Sequence, residues 1–498
     1  MAAYLRPGVY VEESLNPVAP VVGANSTSVA AFIGANARGP LTPTLVTSWS
    51  EYLNYYGGWG ANNALAIAVF LYFSNGGSQA YVQRVTAGTP ASATRTLSDT
   101  AVSPVATLKL TAANPGTWGN DIAITTQASP GATGYFDLTV YYGGTAAANK
   151  VESFPNLTMV KTDNRYAVPL INAQSNWIIA EDLNSASAGA TKNPAAVTAQ
   201  ALASGGNGTT PTEANIANGC SAFDSIANSL VLNAPGIITA NAVNALLSYA
   251  ESRKDVFVVI DPSNVSVADE LTLALTYNPS SYGAVYYPPI TINDPTTTTP
   301  GTVITAANPG GAIVGKYAST DKSRGVFKAP AGLNVRLAGA VSVSSLTNAN
   351  LDSLNSSAAP VNAIRYVPGS GIVVMGARTL KGGYADMYVP VRRSLIYLEK
   401  ALVELTQFAI FEPNDTVLYR NISSILNGFL TNYWSQGGLR GTTPDQAFFV
   451  LCSKANNTLA TVEAGQVNIQ VGVALQRPAE FVVINIGQFD GGATVTVA

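Results

Sequence analysis

Hydrophobic positions recur with two different periods along the chain. Toward its end, Val391, Leu395, Leu398, Leu402, Leu405 and Ala409 follow one another at spacings of three and four, which places them on one face of a helix stopped by Pro413. Asn414 or Asp415 can cap a second helix, in which Leu418, Ile422, Ile425, Phe429 and Tyr433 form a similar stripe before Gly437 and Gly438 end it. The period then drops to two. Val467, Ile469, Val471, Val473 and Leu475 alternate with polar or small residues, and a further strand, Glu480 to Ile486, follows Pro478. The two stripes predict helices packed on each other and on this terminal sheet.

Earlier in the chain, Ser28 to Gly34 reads as a short buried strand, Ala64 to Ser74 as a helix and Ala80 to Val85 as a strand. Asn241 to Ser252 has helical periodicity and leads into an apolar strand ending at Asp261, an α/β unit, and Tyr282 to Ile290 resembles another strand. Between about Thr86 and Ala234, Ala, Thr, Ser, Gly and Asn dominate. Trp118, Phe136, Trp177 and the alternating Asp137–Tyr142 run still supply apolar anchors there, so the region reads as an ordered, surface-exposed, β-rich insertion. At the start, "RPGVYVEE" from Arg6 to Glu13 alternates like a strand, yet it lies at the terminus between Pro7 and "NPVAP". A strand needs a neighbour for its backbone groups, and that neighbour can lie in another molecule.

At 498 residues the chain exceeds the size of one core, which predicts two or three domains. Charged residues make up 11%, against about 25% in an ordinary soluble domain, so much of the surface is expected to be covered by other molecules. A net charge of −3 with scattered Lys and Arg gives no basic face for nucleic acid and no polybasic segment for a membrane. The run Ala64–Phe73 is too short to span a bilayer, and no basic-then-apolar secretory signal opens the chain. Cys220 and Cys452 are the only cysteines and histidine is absent, which removes histidine-dependent nucleophilic machinery and the commonest zinc ligand.

Candidate chemistry is thin. "GGAIVGKY", Gly310 to Tyr317, is almost a phosphate-binding loop, but Tyr317 stands where Ser or Thr should hold magnesium, and no strand directly precedes it. Asp261, at the end of an apolar strand, is placed like a catalytic acid, though a capping role before Pro262 is commoner. Glu12 with Glu13 and Asp269 with Glu270 read as solvated charges. Arg392 and Arg393, on the polar side of their helix, fit contacts with carboxylates better than an anion site. Low charge, strand-like segments at both ends and no chemical centre together favour a self-assembling structural protein, in which an extended segment of one subunit completes the sheet of another.

The residues also carry a family likeness. "PGVYVEE", "SVAAFIG" with "RGP", "NGG" with "AYVQRV", "GTWGN", "GKYASTDKSRGVFKAPAG", "GARTL", "YVPVRRSLIYLEKAL", "FEPND" and "RPAEFVVINI", in this order, resemble the contractile phage tail sheath proteins. The likeness runs from end to end apart from the insertion, with departures at Pro289, Met375 and Leu354–Asn362. It implies a multidomain α+β and α/β chain: an inner domain of residues 1–24 and 385–498, an outer α/β domain of 25–86 and 235–384, and a surface insertion of 87–234. It also implies stacked hexameric rings around an inner tail tube, baseplate and tail terminator partners, no cofactor, no enzymatic activity, and contraction from a metastable extended state. By the same resemblance Val9, Tyr10, Val11, Glu12 and Glu13 form one exchanged arm, and Phe481, Val482, Val483, Ile484 and Ile486 another. Arg392, Arg393, Glu399, Lys400 and Glu404 are the candidates for tube or neighbour contacts. Sheaths of contractile bacteriocins and injection particles share the pattern; an α/β nucleotide-binding enzyme and an exported surface-layer or adhesin-like protein are the alternatives of other classes.

Overall fold

The computed structural model describes residues 27–59, 64–383 and 387–480. Both expected arms, Val9–Glu13 and Phe481–Ile486, lie outside the described residues.

An eight-stranded sheet organises the largest part of the chain. Its strands run, in spatial order, Gly371–Val374, Val361–Val367, Gly283–Tyr287, Val256–Ile260, Leu230–Asn233, Val29–Ala35, Ala80–Val85 and Thr44–Val46. The six inner strands are parallel and the two edge strands antiparallel. Alternate residues feed two separate cores: Ala30, Phe32, Val231, Phe257 and Val259 point to one face, and Val29, Ala31, Leu232, Val258 and Ile260 to the other. Helices cover both faces, which is why the central strands read as unbroken apolar runs. The Ala64–Ser74 and Gly310–Arg324 helices pack on the first face, and the Ala240–Arg253 helix on the second. Leu230–Asn233 sits in the middle of this sheet although it falls inside the expected 87–234 insertion.

Residues 93–202 form their own core around Leu108, Leu110, Ile124, Phe136, Leu138 and Ile178. Two antiparallel sheets enclose it, one of three strands and one of four. Arg84 ties this unit to the main sheet. Its guanidinium, 1% exposed, donates to the carbonyls of Asn36, Ala37 and Gly39 in one loop and of Pro115 in the other, at 2.7–3.1 Å. Arg38 stacks beside it, 3.5 Å from the Trp177 ring centroid.

The C-terminal part contains the Val389–Thr406 and Thr416–Ser435 helices. Asp415 is the cap of the second, accepting from the backbone N–H groups of Val417 and Leu418. Its buried stripe is Leu418, Ile422, Leu426, Leu430 and Tyr433, so the face is rotated slightly from the expected one, with Ile425 and Phe429 half-buried. A two-stranded antiparallel sheet, Phe448–Leu451 with Gln470–Val473, packs against this helix pair.

Candidate assembly surface and interdomain clamps

The two candidate chemical motifs resolve into one structural device. Asp261 is buried, and its carboxylate accepts from the Gly310 N–H at 2.7 Å, the Gly236 N–H at 3.2 Å and the Asn233 side-chain amide at 3.3 Å. It therefore occupies the N-terminus of the Gly310–Arg324 helix, the place a phosphate takes in a nucleotide site. Burial pushes its carboxyl up to about 6, against the pull of those donors. The glycines serve packing: a Cβ on Gly311 would lie 2.1 Å from the Ala68 carbonyl oxygen, and one on Gly315 2.6 Å from that of Tyr72. Among the described residues no cluster of acidic or cysteine side chains could hold a metal, and no helix is long and apolar enough to cross a membrane.

Arg393 is not on the polar side of its helix. Its side chain is 3% exposed and makes two hydrogen bonds to Asp321, at 2.9 and 2.5 Å. It also donates to the Thr27 carbonyl at 2.9 Å and lies over the Tyr317 ring at 4.6 Å. The Thr27 hydroxyl donates to the same Asp321 carboxylate at 2.7 Å. This clamp joins the C-terminal helix pair, the main sheet's helix layer and the first described residue after the N-terminal segment. The other candidates on this helix scatter. Arg392 lies over Tyr282, 4.6 Å from the ring centroid, and Lys400 pairs with Asp255 at 3.3 Å. Glu404 is half-buried, and Glu399 is exposed.

A second clamp holds the other exit from the described fold. Arg378 grips the Glu480 carboxylate through Nε and a terminal nitrogen and donates to the Asn355 carbonyl at 2.8 Å. Both partners of this pair are mostly buried, at 15% and 18% exposure.

Between the clamps lies an incomplete sheet. Phe448–Leu451 and Gln470–Val473 pair as strands only with each other among the described residues, with a single bridge from Leu439 to Leu475 just past the second strand, so each has an outer edge along which a further strand could add. An isolated two-stranded sheet is marginal in water. Phe448, Val450, Val471 and Val473 anchor this one on the helix pair, while Phe449 and Leu451 face outward. Sequence reasoning missed the Phe448–Leu451 strand, although "FFVL" is a short apolar run after a turn signal. It also missed an apolar tip on the helix hairpin, where Val403, Ile410, Phe411 and Val417 are exposed.

No protein-family model matches the chain, and no curated protein does. Solved structures match almost all of it. The sheath of the extracellular contractile injection system PVC, in its contracted state, is 22% identical with a TM-score of 0.55, covering 98% of this chain and 99% of that one. The contracted helical sheath of the anti-feeding prophage is also 22% identical, with a TM-score of 0.59 and coverage of 97% and 99%. The sheath tail protein of Listeria innocua is 14% identical, with a TM-score of 0.62 and coverage of 90% and 94%. The chain thus has the multidomain α+β fold of contractile sheath proteins.

Proposed function

We propose that this chain is the structural subunit of a contractile sheath, not an enzyme. It polymerises as stacked hexameric rings around an inner tube, and contracts from a metastable extended state to drive that tube through a cell envelope. The observation that carries the reading is likeness to sheath structures across nearly the full length of both chains. The open-edged two-stranded sheet supports it, because it offers acceptor edges for strands from outside the subunit. In this reading Val9–Glu13 of one subunit and about Phe481–Ile486 of another complete that sheet. Each added hydrogen bond contributes only about 1 kcal/mol, and repetition along a polymer makes the lattice firm.

Residues 1–24 and 385–498 then form the tube-facing domain, 25–86 and 235–384 together with the Leu230–Asn233 strand the outer one, and within the 87–234 region the separate 93–202 unit projects outward. Baseplate and tail terminator proteins close the ends of the assembly, which is built in a bacterial cytoplasm and placed on a virion tail. The sheath of a free injection particle is the second reading, kept because the injection-system sheaths are the more identical, 22% against 14%. Val11→Pro removes one strand donor and should block polymerisation while leaving a folded monomer. A normal yield of full-length tubes from that variant would sink the arm assignment.

A further inference from the structure

A cleft of about 650 Å³ opens beside the last described residues. Its floor is one face of the Val361–Val367 strand, where Val361, Ala363 and Arg365 alternate toward it. The Asn348–Ser356 helix and the segment 327–332 form its walls. The chain leaves the fold along a third side, residues 476–480, pinned there by the Glu480–Arg378 ion pair. Three cations, Lys328, Arg365 and Arg477, line this cleft. Among the described residues no side-chain hydrogen bond or ion pair engages any of the three, and Arg365 Nε is buried without an acceptor. Against them stands Asp352, since Glu480 is committed to Arg378. A buried guanidinium nitrogen without an acceptor is costly, and a carboxylate from outside relieves that cost.

We propose that the cleft receives Glu12 and Glu13 from the N-terminal segment of a second copy of this chain. The proposal rests on the sheath reading, in which residues 1–26 leave their own subunit. Of the two terminal stretches outside the described residues, 481–498 carries a single acidic side chain, Asp490, whereas 1–26 carries two adjacent carboxylates behind the alternating Val9, Tyr10 and Val11. Neighbouring residues of an extended strand point to opposite faces. Two carboxylates in succession can therefore meet Arg365 on the floor and a second cation on another side, Lys328 of the 327–332 wall or the exposed Arg477. Residues 476–480 follow the open-edged Gln470–Val473 strand. A segment laid parallel along that edge carries its acidic end to the mouth of the cleft.

The test separates docking from assembly. A fluorescent peptide of residues 4–20 is titrated with the full-length chain carrying Glu12→Lys and Glu13→Lys, so that its own segment does not compete. Binding should fall at least about tenfold with Arg365→Glu, with Lys328→Glu, or with Glu12→Gln and Glu13→Gln in the peptide, and should weaken with added salt. Lys328, on the separate 327–332 segment, keeps the test intact if the Arg365 variant misfolds. No binding, or binding indifferent to both cleft substitutions, overturns the proposal. Paired Glu13→Cys and Lys328→Cys in one chain should give a disulfide-linked ladder of copies; a link closed only within single chains overturns the second-copy occupant. Absence of tubes from the unaltered chain would count against the sheath reading and leave the peptide result standing.

Discussion

Replacing Asp321 by alanine should loosen the junction between the Val389–Thr406 helix and the eight-stranded body. The carboxylate accepts from Arg393 at 2.9 and 2.5 Å and from the Thr27 hydroxyl at 2.7 Å, in a site where both charged side chains are 3% exposed. Truncation leaves the guanidinium buried, compensated among the described residues by the Thr27 carbonyl at 2.9 Å and the Tyr317 ring at 4.6 Å. Breaking one side of a buried pair costs about 3–5 kcal/mol, and the two surviving contacts place this loss at the lower end, about 3 kcal/mol. At about 1.4 kcal/mol per factor of ten, the opening equilibrium rises roughly a hundredfold. A chain with several cores opens in parts, so the assay is local. Amide hydrogen exchange is followed on peptides from the Gly310–Arg324 and Val389–Thr406 helices, with the Phe136–Tyr142 strand of the separate core as internal reference. Adding Arg393→Met removes the stranded charge and should restore most of the protection, since replacing a buried pair by apolar groups is close to neutral. Unchanged exchange in the single variant, or a double variant looser than the single, would refute the reasoning.

Three other outcomes follow from the same geometry. The Asp261 carboxyl, near 6 in the fold against an ordinary 3.8, binds its proton more tightly folded than unfolded. Its contribution to stability is therefore greatest below about pH 4 and falls as pH rises to about 6, then levels off. After correction for intrinsic rates, exchange at the start of the Gly310–Arg324 helix should be faster at about pH 7.5 than at about pH 4.5, and Asp261→Asn should remove that difference; no difference between the two pH values in the unaltered chain would show that the cap is ionised throughout. Burial pushes the Cys220 thiol up to about 12, so alkylating reagents at mildly alkaline pH should leave it unmodified until the chain unfolds, and rapid native labelling would contradict its placement. Gly311→Ala places a methyl 2.1 Å from the Ala68 carbonyl oxygen; overpacking of this kind costs about 1–3 kcal/mol, and a thermal melt unaffected by it would mean the two helices are not in contact there.

Much of the main sheet was legible because buried parallel strands and their helices leave strong patterns. The expected Ala64–Ser74 helix and Ala80–Val85 strand match the structure to the residue, and Asn241–Ser252 is one residue short at each end. The Trp49–Tyr56 helix was missed although Ser48 and Glu51 stand at capping-box spacing and the Ser48 hydroxyl accepts from the Glu51 N–H. Arg393 was misplaced for a different reason. Helical spacing assigns a face by polarity, and a buried arginine becomes visible only once Asp321, 72 residues earlier in the chain, is known to lie opposite. The same limit applies to the clamp at Arg378 and Glu480, whose partners are 102 residues apart. The cleft could not be read from sequence at all, because its cations come from three unconnected stretches.

Electron microscopy of the purified, unaltered chain across a range of concentrations tests the central claim most directly. The account predicts hollow, transversely striated tubes built from stacked rings, most readily in the contracted form because no inner tube is present to template the extended one. Monodisperse single particles at every concentration, and equally when the chain is co-produced with an inner tube protein, would contradict it.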